Sequence, residues 1–435
     1  MQGSRETPNT SSLRRNHRRG RFVTAAFSLA LGTLVVLPAS QAAVERTGTL
    51  GAKLYFGADN GAKGCEPWRT DGTKQGTKLL KDIAPENQSL SSHSSPLDFT
   101  RLGNRLYFTA FHPNRGVELW RTDGTRKGTK LFKDIVPGSD SSHPSELVRF
   151  GDRLYFRAEE DDTGREPWST NGTKKGTRML KDIAPGPIGS SPGHFAKLGK
   201  RVYFQAVDDS NGAELWRTNG TRKGTKLFKS IVPGSAGSSP AHLARLGKRL
   251  YFAADDGTNG FELWRTNGTK QGTKLLKEIR SGGDSSLPTE LTRLGKRLYF
   301  QAHDDVNGEE LWRSDGTPKG TKLLKDIATG AAHSGPTGFE KFGKRLYFRA
   351  EGDSQGIEPW RTNGTSQGTK LLKDVHPGSD SSFPLEFRAL GNWLYLLADD
   401  GEHGFELWRT NGTKQRTQLF KDILPGTGHS ICPIG

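Results

Sequence analysis

One repeated segment accounts for most of this sequence, and its clearest copy is GKRLYFAADDGTNGFELWRTNGTKQGTKLLKEI at 247–279. A tryptophan marks the register of each copy: Trp68, Trp120, Trp168, Trp216, Trp264, Trp312, Trp360 and Trp408. The first interval is 52 residues and the other six are 48. Eight copies at a nearly fixed period indicate a repeat architecture, in which one structural unit forms eight times.

Each copy contains four short segments in which β-branched or aromatic residues alternate with polar ones, between turn residues. In the clearest copy, the predicted strands A to D are Leu243–Leu246, Leu250–Ala254, Glu262–Thr266 and Thr273–Ile279. An Asn-Gly or Asp-Gly pair opens the C–D turn, which is a strong hairpin signal. We therefore expect four antiparallel strands per repeat.

Four antiparallel strands repeated eight times predict an all-β chain, an eight-bladed β-propeller with one blade per repeat. The alternative is an open β-repeat array. The hydrophobic fraction of 32% and the 55 glycines favour short strands over long helices. Thr47–Leu50 aligns with strand A, and the tail at 424–435 ends about where a ninth strand A would begin. We expect the N-terminal strand to complete the last blade and so remove an exposed edge.

The N-terminus resembles a secretory signal peptide, because a basic stretch precedes an apolar run at 22–37 and small residues lead to Ala42 and Ala43. We predict a signal peptide at 1–42 and a single propeller domain at 43–435. The two cysteines are Cys65, at a B–C loop, and Cys432, in the tail. Alternating strand directions place B–C loops and D–A links on one face, so a closed ring predicts a Cys65–Cys432 disulfide.

The motif Glu-Leu-Trp-x-x-Asp-Gly-Thr, as at Glu118–Thr125 and Glu310–Thr317, resembles the ELWxxDGT repeat of secreted bacterial proteins. Mild departures occur at the Asp position and at the Leu position: Asn171, Asn219, Asn267, Asn363, Asn411, Pro67, Pro167 and Pro359. The resemblance implies an exported, propeller-like bacterial protein in the periplasm, at the cell surface or outside the cell. It provides no catalytic residues to transfer.

Every copy has a Glu at the start of strand C and a Lys fifteen residues later, such as Glu262 with Lys277 and Glu310 with Lys325. We predict that each pair lies side by side across the C–D hairpin, where opposite charges contribute about 0.2–1 kcal/mol. Eight equal copies favour a structural role, because a catalytic site is asymmetric. The same register places Arg265 opposite Lys274.

Metal and cofactor motifs do not stand out from the repeat. The histidines lie at shifting offsets, and no zinc spacing occurs. Paired aspartates in the B–C loops, such as Asp255 and Asp256, suit either turn capping or Ca²⁺. We expect no cofactor, with Ca²⁺ at these loops as the alternative. Trp393, outside the tryptophan register, is either a packing residue or a platform for a sugar ring.

The formal charge is +17, and removal of residues 1–42, which hold six Arg and one Glu, leaves +12. Strand alternation places the A–B and C–D turns together on one face, and these turns are basic. We predict a binding face that includes Arg105, Arg153, Lys200, Arg201, Lys248, Arg249, Lys296, Arg297, Lys344 and Arg345. A concentrated positive charge favours anionic partners.

Two functions remain open. The first is a secreted non-catalytic binding or scaffold protein, which recognises an anionic polysaccharide of the surface or matrix, or an extracellular protein. The second is an extracellular carbohydrate-active enzyme, a glycan lyase or hydrolase. We expect a monomer, with no specific nucleic-acid partner and no transmembrane segment after signal cleavage. A cluster of residues that differ between copies, around the central opening, would favour the enzyme.

Overall fold

The computed structural model describes residues 47–85, 93–430 and 432. These residues form eight four-stranded antiparallel sheets arranged in a ring, an eight-bladed β-propeller, as predicted. Within the described ranges the one helical segment is a 3₁₀ turn at Lys414–Arg416. The predicted signal peptide lies outside the described residues.

Each blade takes its four strands in chain order. Blades 1 to 4 contain β1 Thr47–Leu50, β2 Lys53–Ala58, β3 Glu66–Thr70, β4 Lys78–Leu79; β5 Leu97–Leu102, β6 Arg105–His112, β7 Gly116–Thr122, β8 Lys130–Lys133; β9 Ser145–Phe150, β10 Arg153–Glu160, β11 Gly164–Thr170, β12 Arg178–Met179; β13 Gly193–Leu198, β14 Arg201–Asp208, β15 Gly212–Thr218, β16 Lys226–Lys229. Blades 5 to 8 contain β17 Ala241–Leu246, β18 Arg249–Asp255, β19 Phe261–Thr266, β20 Lys274–Lys277; β21 Thr289–Leu294, β22 Arg297–Asp304, β23 Gly308–Ser314, β24 Lys322–Lys325; β25 Thr337–Phe342, β26 Arg345–Gly352, β27 Gly356–Thr362, β28 Lys370–Leu371; β29 Leu385–Leu390, β30 Trp393–Asp399, β31 Phe405–Thr410, β32 Gln418–Lys421.

The innermost strands, here called A strands (β1, β5, β9, β13, β17, β21, β25 and β29), contact one another in sequence, and β1 contacts β29. The ring is therefore closed. The predicted transfer of the N-terminal strand to the last blade was wrong, because β1 pairs with β2 in blade 1. Gly51 and Ala52 form a two-residue turn, which places Leu50 opposite Lys53. The first repeat thus supplies its own A strand.

Hydrophobic packing between neighbouring blades holds the ring together. Between blades 4 and 5, Tyr203 and Phe228 pack with Phe252 and Trp264. Between blades 8 and 1, Tyr395 packs in the same way with the corresponding residues of blade 1. Eight such clusters, one for each junction, give the closing junction the same apolar core as the others.

The predicted Cys65–Cys432 disulfide is confirmed, with a Cα–Cα distance of 5.2 Å. It joins the first blade to the tail that follows the last one, on the face that carries the B–C loops and D–A links. The Asp59 N–H also donates to the Ser430 carbonyl there at 3.0 Å. Gly57 makes room for the bridge, because a Cβ at that position would lie 2.9 Å from Cys432 Sγ.

The predicted Glu–Lys pairs are wrong. Lys277 lies opposite Leu263, because the register shifts between Leu263 and Trp264. Glu262 is instead fully buried and accepts hydrogen bonds from the N–H of Ile279 and of Arg280 at 2.8 and 3.1 Å and from the Ser286 hydroxyl at 2.7 Å. The pair Glu310 and Lys325 is separated in the same way, with Leu311 opposite Lys325.

All eight of these glutamates are fully buried anchors for the D–A links. Glu310 accepts from the N–H groups of Ile327, Ala328 and Ser334 and from the Ser334 hydroxyl. Burial raises the pKa of Glu310 to about 7, although these hydrogen bonds act in the opposite direction. Lys81, Lys373 and Lys421 reach the next blade instead: the Lys81 ammonium donates to the Thr129 carbonyl at 2.7 Å, and the other two donate to the corresponding threonine carbonyls at 3.1 and 2.8 Å. The glutamates and these three lysines therefore hold the backbone in place.

Candidate functional site

The A–B and C–D turns lie together on one side of the ring, here called the turn face. Clefts open there between neighbouring blades, and each is lined by the A–B turns of two blades and the C–D turn of the second. Each A–B turn is only two residues long, as at Gly247–Lys248 between Leu246 and Arg249. Short turns bring the strand ends and their basic side chains to the rim of the cleft.

Cleft 4/5, between blades 4 and 5, has a volume of about 470 Å³. Four cations line it: Lys200 and Arg201 from the A–B turn of blade 4, and Arg245 and Lys248 from blade 5. Asn267 of the C–D turn completes the polar lining, and no carboxylate is among the lining residues. The Arg245 Nε donates to the Gly247 carbonyl at 3.0 Å, which fixes the guanidinium beside the turn.

Two other clefts share this plan with different charges. Cleft 6/7, of about 620 Å³, is lined by polar residues of both turns: Lys296, Arg297, Asp315, Lys341, Lys344 and Asn363. Cleft 1/2, of about 410 Å³, has Lys53, Arg69 and Arg101 together with Asp123. The number of cations and the presence of a carboxylate thus vary around the ring.

Six of the ten basic residues predicted for the binding face line these clefts: Lys200, Arg201, Lys248, Lys296, Arg297 and Lys344. Arg105, Arg249 and Arg345 are exposed at the start of the second strand of their blades, and Arg153 is half-buried at that position. The structure therefore places the ten residues at two adjacent repeated positions, the end of the A–B turn and the start of the second strand, and brings six of them into clefts 4/5 and 6/7.

A second set of basic residues was missed by the sequence analysis. These residues occupy the penultimate position of the A strand: Arg101, Arg149, Lys197, Arg245, Arg293 and Lys341. Blades 1 and 8 have Thr49 and Ala389 there. The signal was an Arg or Lys two residues before the glycine of the A–B turn in six of eight copies. The pattern was overlooked because it falls inside a predicted strand, where polar residues normally face solvent.

The like-charged neighbours Arg265 and Lys274 lie opposite each other, as the sequence predicted. The arginine does not depend on a bound anion, because its guanidinium donates to the Gly316 carbonyl of the next blade at 3.4 Å. Arg313 makes the same bond to Gly364 at 2.9 Å. The crowding of these two charges is thus explained by a contact between blades.

An off-pattern group of ionisable residues does surround the central opening. It occupies the second position of the A strands, where the backbone has a positive φ: Asp98, Glu146, His194, His242, Glu290 and Glu386. Glu146 accepts a hydrogen bond from the His194 N–H at 2.6 Å, and Glu290 accepts one from the Gly338 N–H at 3.2 Å. Each acceptor thus binds the corresponding residue of the next blade.

The two histidines of this group form a half-buried pair with ring centroids 5.1 Å apart. Burial and, to a smaller extent, the Arg157 guanidinium lower the pKa of His194 to about 4, and burial together with His194 lowers the pKa of His242 to about 3. Burial raises the pKa of Glu146, against the effect of Arg157, which lies 3.4 Å from its carboxylate. Contacts between blades already occupy these side chains.

The aspartates of the B–C loops bind the backbone of their own turns. Asp256 Oδ1 accepts from the N–H of Thr258 and Asn259 at 3.0 and 2.9 Å, so it caps its own turn. Among the described residues, no three His, Cys, Asp or Glu side chains converge as metal ligands would. In the same part of the chain, no helix is both long and apolar enough to cross a membrane.

Trp393 lies on the turn face at the start of β30. Its ring is partly buried against the cluster between blades 8 and 1. The Arg409 guanidinium lies over it, 4.3 Å from the ring centroid, and also lies 4.6 Å from the Phe420 centroid. Packing against its own blade therefore accounts for this tryptophan.

Comparison with known proteins supports the fold alone. No protein-family model matches the chain, and no curated protein matches it. A puromycin-hydrolyzing peptidase of Mycobacterium tuberculosis is 12% identical with a TM-score of 0.50, over 76% of this chain and 52% of that one. The computationally designed Ika8 protein is 16% identical with a TM-score of 0.49, over 83% and 95% of the two chains. A prolyl endopeptidase is 12% identical with a TM-score of 0.49, over 74% and 48%. The chain thus spans about half the length of both peptidases.

Proposed function

We propose that this protein is a secreted, non-catalytic binding or scaffold protein whose turn face recognises an anionic polysaccharide. The observation that carries the proposal is cleft 4/5, where four cations surround a cavity whose lining includes no carboxylate. Like charges gathered around a solvent-filled cleft repel one another, and a bound anion relieves that repulsion.

The repetition of the clefts suits a polymer better than a small molecule. Cleft 6/7 presents a second set of four cations two blades away, so one extended chain of anions has several places to bind. Several weak contacts on one polymer raise the overall affinity without any single strong site. Export to the cell surface or beyond, and membership of the ELWxxDGT-repeat proteins, belong to the same proposal.

The test is retention on heparin and alginate resins, measured as the salt concentration at elution. A variant with Lys200, Arg201, Lys248, Arg249, Lys296 and Arg297 changed to Ser should elute at much lower salt than the wild type. Wild-type retention should fall steeply with salt, because charge attraction is screened over about 8–10 Å at ordinary ionic strength.

A matched control removes the same charge from the outer strands, by changing six exposed lysines to Ser: Lys78, Lys130, Lys226, Lys274, Lys322 and Lys370. This control should retain most of the wild-type affinity. Equal retention of wild type and cleft variant would contradict the proposal. If retention weakens equally in the cleft variant and in the control, net charge and not the clefts determines binding.

The second candidate is an extracellular carbohydrate-active enzyme, and the off-pattern group at the central opening favours it. Within that group, His194 and His242 are a pair of half-buried ionisable rings whose centroids lie 5.1 Å apart. Release of new reducing ends from heparin or alginate, lost in a His194→Asn, His242→Asn variant that still folds, would support the enzyme. If the wild type releases no new reducing ends from either polymer, the enzyme is contradicted and the non-catalytic binding protein is favoured.

A further inference from the structure

We propose that the Asp or Asn residue at the C–D turn decides which clefts accept an anion, and that cleft 4/5 with Asn267 is the primary subsite for one sulfate or carboxylate group of the polymer. This inference rests on the proposed function and identifies the part of the turn face that carries it. It also assigns a role to the Asp-to-Asn departures within the repeat.

The fold does not choose between the two residues. Asp123 Oδ1 accepts from the Thr125 N–H and hydroxyl at 2.9 and 2.7 Å. Asn267 Oδ1 accepts from the Thr269 N–H and hydroxyl at 3.0 and 2.8 Å. Because one side-chain oxygen caps the turn in both cases, an exchange leaves the turn intact and changes only the charge at the cleft.

The charge difference is real at neutral pH. Hydrogen bonds from Thr125 hold the pKa of the Asp123 carboxyl below its usual value, so it is ionised and offsets one of the cations in cleft 1/2. Cleft 4/5 has an uncharged amide at the same place and four cations. An anion entering cleft 1/2 meets a fixed negative charge, whereas one entering cleft 4/5 does not.

Blade 8 provides an internal contrast. Asn411 is its C–D turn residue, but Ala389 and Asn392 stand where blade 5 has Arg245 and Lys248. Asn411 caps its turn as Asn267 does, by accepting from the Thr413 N–H at 3.1 Å. A new carboxylate at 411 therefore alters the net charge equally, in a blade that lacks the counterparts of Arg245 and Lys248.

The experiment compares three single variants, Asn267→Asp, Asp123→Asn and Asn411→Asp, for binding of a fluorescently labelled heparin oligosaccharide at low and moderate salt. Asn267→Asp should weaken binding roughly three- to tenfold, because one opposing charge is placed beside the anion. Asp123→Asn should strengthen binding by a smaller factor. Asn411→Asp should change it by less than Asn267→Asp, and all three should unfold at the wild-type temperature.

The outcomes separate this inference from the proposed function. If Asn267→Asp and Asn411→Asp weaken binding equally, net charge governs affinity and the subsite assignment is overturned, while binding by the turn face stands. If the six-site serine variant binds like the wild type, the proposed function fails and the subsite fails with it. If Asn267→Asp alone weakens binding, and Asp123→Asn strengthens it, both are supported.

Discussion

The junction between blades 4 and 5 and the junction between blades 8 and 1 share one core and differ at every edge. In both, a tyrosine and a phenylalanine of one blade pack on a phenylalanine and a tryptophan of the next. On the turn face, Arg245 and Lys248 of the first junction are replaced by Thr49 and Ala52 at the second. The apolar centre of a junction is thus independent of the charge on its rim.

The inner and opposite edges differ as well. Neighbouring A strands carry the paired rings of His194 and His242 at the first junction. At the closing junction the Thr47 hydroxyl donates to Glu386 at 3.4 Å. A continuous chain joins blades 4 and 5, whereas a disulfide ties blade 1 to the tail after blade 8. The ring therefore combines uniform packing at its core with contacts at its edges that differ from one junction to another.

The largest expected effect is loss of the closing disulfide. Changing Cys65 and Cys432 to Ala should lower the free energy of unfolding by about 4–5 kcal/mol, because the bridge spans 367 residues and strongly restricts the unfolded chain. Urea denaturation measures the change. Reduction should destabilise the wild type and leave the double variant unaffected. A loss under about 1 kcal/mol would mean that the apolar core alone closes the ring.

The second effect tests the buried glutamate that anchors the D–A link in every blade. Glu310→Gln should cost about 2–4 kcal/mol of unfolding free energy, because an amide leaves some of four buried donors without an acceptor. Glu406→Gln should cost a similar amount, since Glu406 accepts from the N–H of Ile423 and Leu424 at 2.7 and 3.0 Å. Exposed Glu402→Gln is the control and should be nearly neutral. A neutral Glu310→Gln would remove the anchoring role.

The smallest of the three effects is the contribution of the histidine pair to the loss of stability at acidic pH. The pKa of His194 is lowered from 6.5 to about 4, so between these pH values the unfolded chain takes up a proton that the folded chain does not. This histidine therefore costs stability as the pH falls below 6.5. When the pH falls from 7 to 5, the free energy of unfolding, measured by urea denaturation, should fall by about 1–2 kcal/mol less in His194→Asn than in the wild type.

His403, whose pKa is raised and not lowered, provides the control for this measurement. Hydrogen bonding to Asp400 raises the pKa of His403, so His403 contributes stability below its unfolded pKa that is lost as the pH rises. His403→Asn should therefore lose more stability than the wild type on acidification. If the free energy of unfolding depends on pH equally in the wild type and in His194→Asn, the half-buried His194 does not resist protonation.

The sequence determined the repeated part of this structure. A period of 48 residues, turn pairs such as Asn267–Gly268 and alternating strands were enough to predict eight four-stranded blades, because each strand pairs with its neighbour in the chain. The Cys65–Cys432 bridge followed from the same topology. Local pairing repeats with the sequence, so local signals were sufficient.

Only the tertiary structure decided what happens between repeats. The register shift beside Trp264 places Lys277 opposite Leu263, and no pattern of alternation reveals such a shift. Glu262 binds the D–A link instead, through the Ile279 N–H. The cleft that Arg245 lines forms only where neighbouring blades 4 and 5 pack side by side in the ring. A single sequence specifies strand partners through short-range pairing, whereas contacts between blades depend on how sheets pack, which the linear pattern does not encode.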